Sequence, residues 1–140
     1  MIENEDYSPT LAEIDAVLIF LPIFERKDFI PSIIKSPPGQ LPYHVFADEL
    51  NQFHCAVYDN GFVSSFKWPG WQEEAQRYVN HPELLREASL QIIRKLITVH
   101  VRKERFCEGH LPTMLENGHI VAVLKRLKDL RESLQISQKK

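Results

Sequence analysis

Six residues in one short stretch carry side chains that can do chemistry: His100, Arg105, Cys107, Glu108, His110 and His119. Cys107 and His110 are spaced Cys-x-x-His. With His100 and His119 they name a four-ligand set of the types that zinc takes. No second close pair accompanies them, so no metal is expected, and these four residues are the ones to check. A second chemistry is acid–base or nucleophilic. Glu108 and His110 stand near a helix start, where they can move a proton or help hold an anion. Cys107 is then the nucleophile and Arg105 the anion clamp, but no third group is evident to orient the pair. The competing expectation is structural: Glu108 and His110 cap a corner, Arg105 pairs with an acidic residue of the N-terminal half, and Cys107 packs inside. The structural expectation is favoured. Catalytic residues stay unassigned, with Arg105, Glu108, His110 and His119 as candidates, and no cofactor is expected.

These residues sit in a stretch, 89–134, that organises the chain. Ser89 suits an N-cap, and Leu90, Ile93, Leu96, Ile97 and His100 or Val101 form an apolar helical stripe. Gln91, Arg94, Lys95, Thr98, Arg102 and Arg105 take the other side. His100 follows Leu96 by four residues and Ile97 by three, so it points at or near the core. Residues 105–110 make a corner, and Gly109 supplies a backbone angle that other residues resist. A short helix with Pro112 in its first turn buries Leu111, Met114 and Leu115. Asn117-Gly118 ends it. His119 opens a long helix striped by Ile120, Val123, Leu124, Leu127, Leu130 and Leu134.

The preceding chain must supply the rest of the core. Residues 1–7 read as a flexible N-terminus and 137–140 as a flexible C-terminus, around a single helical domain over 8–136. Thr10 and Glu13 match a capping box, followed by Leu11, Ile14, Leu18 and Leu21 at helical spacing. Pro22 should end or kink that helix. A Pro-rich surface loop follows, centred on 35–40, with Ile33 and Ile34 as a short strand or a plug before it. A second helix is expected over 47–58, with His54 half-packed beside its apolar face. Trp68-Pro69-Gly70-Trp71 is an aromatic turn that could stack on a base, a sugar or a proline-rich peptide, or simply close the core. It leads into a helix over 71–79, where Glu73 and Arg77 make an i,i+4 pair. His81 reads as a solvent-facing turn residue.

Composition bounds the class. A chain of 140 residues that is 44% hydrophobic and 26% charged is one globular domain's worth. Two cysteines are not a disulfide framework. The longest apolar run, 16–24, contains Pro22 and is far too short for a membrane span. With an acidic N-terminus this gives a cytoplasmic expectation and no membrane partner. Net charge is −2, yet residues 1–93 carry −8 and residues 94–140 carry +6. Such a split fits halves that pack on each other. It also fits a phosphate-tracking face of Arg94, Lys95, Arg102, Lys103 and Arg105 with the last helix's basic residues, but the helix after the 105–110 corner lacks the run of Arg, Asn, Gln and Ser that reads base edges. Nucleic acid is therefore a partner considered and not favoured.

Two segments, Trp68-Pro-Gly-Trp-Gln-Glu-Glu-Ala-Gln-Arg-Tyr78 and His100-Val-Arg-Lys-Glu-Arg-Phe-Cys-Glu-Gly-His-Leu111, with Asn117-Gly-His-Ile120, carry a resemblance. The chain resembles a bacterial domain-of-unknown-function family, number 6508, from its first helix to its last. Pro112 departs from the small residue expected there, and the Pro-rich loop reads as variable. The resemblance implies a small uncharacterised cytoplasmic protein and brings no activity, cofactor or catalytic residue with it.

The expectation is thus an all-α single compact domain of about six helices with a long Pro-rich loop after the first. Its function is expected to be that of a protein-interaction module, binding a protein partner or itself, with Trp68, Trp71, Arg102 and Arg105 as the binding surface. An enzyme or anion-binding protein built around 105–119 is the alternative, and a nucleic-acid-binding protein the second alternative.

Overall fold

The computed structural model describes residues 3–138. Residues 1–2 and 139–140, parts of the two ends expected to be flexible, lie outside the described residues. In chain order the elements are α1 (Leu11–Leu18), α2 (Leu21–Phe24), β1 (Ser32–Lys35), β2 (Tyr43–Phe46), α3 (Asp48–Asp59), α4 (Gln72–Asn80), α5 (Leu90–Lys103), α6 (His110–Glu116) and α7 (His119–Gln138). Short 3₁₀ segments cover Trp68–Trp71 and Pro82–Glu87. The domain is mostly helical, with one small two-stranded sheet.

The centre is α5, whose Ile93, Leu96 and Ile97 are buried. Ile120, Val123, Leu124 and Leu127 of α7 pack in the same core, as do Leu50, Phe53 and Val57 of α3 and Ile14 and Val17 of α1. Each such side chain contributes about 1.5–3 kcal/mol on leaving water. Phe20 and Phe24 meet Phe53 edge-on, with ring centroids 5.5 and 5.2 Å apart. Arg131 of α7 clamps Asp15 of α1 with two bonds, Nε to Oδ1 at 2.8 Å and Nη2 to Oδ2 at 3.1 Å.

Helix starts follow the sequence signals. Thr10 Oγ1 accepts from the Glu13 N–H and Glu13 accepts from the Thr10 N–H, a full capping box. Ser89 caps α5 through the Ile92 N–H. Pro22 does not simply end a helix. α1 stops at Leu18, and Pro22 sits in the first turn of α2, where its missing N–H has no helical acceptor to lose.

Two local expectations are corrected and one is sharpened. Ile33 and Ile34 take the short-strand alternative, and residues 36–42 are the Pro-rich loop that joins β1 to β2 in an antiparallel hairpin, with Ile33 opposite Val45 and Lys35 opposite Tyr43. Arg94, expected on the polar side of α5, is fully buried. It is held by main-chain carbonyls: Nε donates to Gly61 O at 2.7 Å, and Nη1 donates to Glu5 O and Tyr7 O at 3.0 and 2.8 Å. Arg77 bonds Glu74, three residues before it, rather than Glu73.

Residues 3–7 lie against this framework. Besides the two carbonyls on Arg94, Glu3 O accepts from the Ser65 N–H at 2.7 Å, and the Tyr7 hydroxyl donates to Glu13.

Candidate functional site

The corner between α5 and α6 gathers histidines from three helices and one strand. His100 comes from the last turns of α5, His110 opens α6, and His119 opens α7. His100 is 2% exposed. Its Nδ1 lies 2.9 Å from His110 Nε2, and its Nε2 lies 2.9 Å from His119 Nε2. A neutral imidazole offers one donor and one acceptor. The three rings therefore form a chain that is satisfied in either of two directions, with the proton on His100 deciding which neighbour donates.

Burial holds all three neutral. It pushes His110 and His119 down to about 4, with the Lys103 charge adding to the first and His110 to the second. His100 is lowered well below its ordinary value by burial, then by His119, His110 and Lys103.

The backbone of the corner is fixed by a carboxylate that sequence reasoning missed. Glu104 Oε2 accepts from the Gly109 N–H and Oε1 from the Leu111 N–H, each at 2.8 Å. Glu104 therefore caps α6 and occupies two donors that an incoming anion would need. Gly109 has φ of 89°, and the His44 ring of β2 covers it so closely that a Cβ would lie 2.6 Å from Nε2. Ser32 Oγ shares a hydrogen bond with His44 Nδ1 at 3.1 Å, and the His44 N–H donates to Glu108 Oε1 at 2.5 Å. The hairpin is thus sewn to the corner through His44, a residue nothing in the sequence singled out.

Of the sequence candidates, His100, His110 and His119 come together, but as a line of rings rather than a tripod around one point. His100 spends its two nitrogens on different partners. Among the described residues, no group of three or more His, Cys, Asp or Glu is placed to hold a metal ion. Glu108 is exposed and engaged by β2. Arg105 is exposed, and its charge helps to depress the half-buried His54 after burial itself. Cys107, expected inside, is an exposed free thiol. The capping role expected of Glu108 and His110 belongs to Glu104.

A second feature is a groove of about 820 Å³ on the opposite flank of α5. Glu5, Ser64, Phe66, Lys67, Trp68, Trp71 and Arg102 are among the residues that line it. Its aromatic wall is braced. Trp68 leans on Phe106 with centroids 6.0 Å apart, and Trp71 stacks on Tyr78. Lys95 Nζ sits 5.5 Å from the Phe66 centroid and 5.7 Å from that of Trp71, while Arg102 lies over Tyr58 at 5.7 Å. Trp68, Trp71 and Arg102 thus line one groove; Arg105 is not among its lining residues.

Two cations of the basic C-terminal half pair with the acidic N-terminal half, and a third bonds a main-chain carbonyl. Arg131 holds Asp15, Lys125 lies 3.8 Å from Glu25, and Arg126 donates to Ala88 O at 3.0 Å. Among the described residues, no helix is long and apolar enough to cross a membrane.

A family model described as a family of unknown function, DUF6508, matches residues 9–133. No curated protein and no solved structure matches the chain.

Proposed function

The chain belongs to the family of unknown function DUF6508, and we propose that it works as a non-catalytic interaction module. Its binding surface is the groove beside α5, and its ligand is an extended, acidic segment of a partner protein. The observation that carries this reading is the make-up of the groove. Half-buried Trp68 and Trp71 form an aromatic wall, with Lys67 and Arg102 on the lining and Lys95 held against the rings.

Rigid aromatic rings give a segment flat apolar contact at low entropic cost, and a proline ring packs well on them. The cations favour carboxylates and discriminate against basic segments. Arg102 is restrained over Tyr58, so it loses little freedom on forming a bond to a carboxylate.

The enzyme and anion-binding alternative asks Arg105, Glu108, His110 and His119 to converge on an open cleft. Instead His119 is buried against His100, Glu108 is bonded to β2, and none of the four lines the groove.

The test is an NMR titration of the full chain with two peptide pools, one of Glu, Pro and aromatic residues and one with Lys replacing Glu. The acidic pool should shift the amides of residues 64–71 and 102, and the basic pool should not. Shifts centred on 100–119, or equal response to both pools, would reject the reading.

A further inference from the structure

The hairpin is the part of the molecule that the fold leaves most open. Ile33 and Ile34 are adjacent on β1, so their side chains leave on opposite faces. They are nevertheless 53% and 65% exposed, and Leu41 at the turn is 87% exposed. Ile30 and Tyr43 are exposed beside them. A two-stranded ribbon of this length is marginal in water without a covering element.

Its two edges differ. The Ala47 N–H donates inward to Pro31 O at 2.8 Å, whereas the His44 N–H donates outward to Glu108. The alternation of an antiparallel ladder then turns Pro31, Ile33 and Lys35 toward β2 and leaves the backbone groups of Ser32 and Ile34 facing outward. The outer edge of β2 is engaged at the corner. The outer edge of β1 presents the N–H and C=O groups of Ser32 and Ile34 as a template for another strand.

We propose that β1 pairs with β1 of a second copy of this chain, antiparallel about a two-fold axis at Ile33, to form a four-stranded sheet across a dimer. In this register Ser32 and Ile34 of the second copy face each other's outward groups and exchange both bonds. Ile33 meets Ile33 of the second copy as a non-hydrogen-bonded pair, the arrangement that brings side chains closest. Lys35 falls opposite Pro31 of the second copy, so the lysines are not set against each other. The N–H that Pro31 lacks would have pointed inward, away from the new strand. The edge is complementary to itself, which a closed two-fold interface requires. The engaged outer edge of β2 stops further strand addition and makes the product a dimer rather than a fibre. This inference rests on the hairpin and is independent of the groove.

Sedimentation velocity on the full chain, from low to high micromolar concentration, tests it. The wild-type chain should associate reversibly to a dimer. Ile33→Glu places like charges across the axis and should raise the dissociation constant at least about tenfold, since like charges directly opposite oppose pairing. Ile136→Glu, an exposed site far along α7, should change nothing. A second measurement fixes the register. With Cys55 and Cys107 replaced by serine, Ile33→Cys should form an intermolecular disulfide on mild oxidation and Ile34→Cys should not. A wild-type chain that stays monomeric throughout, a dimer that survives Ile33→Glu, or crosslinking by Ile34→Cys as readily as by Ile33→Cys would overturn the proposal.

Discussion

His100 and His119 face each other nitrogen to nitrogen at 2.9 Å, with His110 at the same distance from the opposite nitrogen of His100. This relationship joins three helices through neutral rings in a buried place. Removing the central ring leaves two imidazoles without their partner. His100→Leu should therefore lower stability by about 2–3 kcal/mol, from unsatisfied polar groups and imperfect packing. Urea denaturation measures this directly. A variant as stable as wild type would show that the chain of rings contributes nothing to the fold.

The same rings predict how stability depends on pH. His110 and His119 titrate near 4 when folded and near 6.5 when unfolded. Between these values the unfolded chain binds protons that the folded chain refuses, so stability falls as pH is lowered. It is fully present above about 6.5 and levels off, for these groups, below about 4. Glu13 and Asp15 are lowered when folded, and their contribution is lost only as pH falls through the carboxylate range. Melting temperatures measured from pH 7 to pH 4 should decline over that whole interval. In a His110→Asn, His119→Asn double variant the decline should be shallower, and an unchanged profile would contradict the assignment.

At the corner itself, Gly109→Ala meets two penalties at once. A left-handed φ of 89° disfavours any Cβ, and the added Cβ would stand 2.6 Å from His44 Nε2. The expected loss is about 1–3 kcal/mol. His44→Ala should relieve part of it, because it removes the ring that the new methyl strikes. A double-mutant cycle by thermal denaturation reads the coupling, and strict additivity would mean the ring and the glycine do not touch.

How much of this was legible in the sequence depends on what kind of partner a residue has. The stripes of α5 and α7 and the capping box of α1 were readable because helical period and local capping are properties of neighbours in the chain. The inward aim of His100 followed from its spacing to Leu96 and Ile97. Arg94 was misplaced because, besides Gln91 on its own helix, its acceptors include carbonyls of Glu5, Tyr7 and Gly61, which no periodicity reveals. Of the hairpin, the Pro-rich loop and the short-strand reading of Ile33 and Ile34 were legible, but β2 was not, because its partner is a strand across the loop rather than a neighbour in the chain. His44 had no local signal at all, since its partners Ser32, Glu108 and Gly109 lie up to 65 residues away.

The Tyr58 hydroxyl is the exception to a well-satisfied interior. Among the described residues it is the buried side-chain polar atom with no hydrogen-bond partner. Tyr58→Phe keeps the ring under Arg102 and removes that burden, so it should raise stability by about 1 kcal/mol. A clear loss on the same denaturation assay would mean the hydroxyl is engaged in solution.

The central claim is that the groove, and not the histidine corner, is where this protein meets its partner. The most direct measurement is the affinity of the acidic peptide pool for four chains, read by isothermal titration calorimetry: wild type, Trp68→Ala, Arg102→Glu and His110→Asn. The account predicts at least about a tenfold loss for Trp68→Ala and for Arg102→Glu, as expected when an aromatic anchor or a charge complement is removed. His110→Asn should bind like wild type. Loss of binding in His110→Asn, with Trp68→Ala and Arg102→Glu unaffected, would contradict it and return the function to the corner.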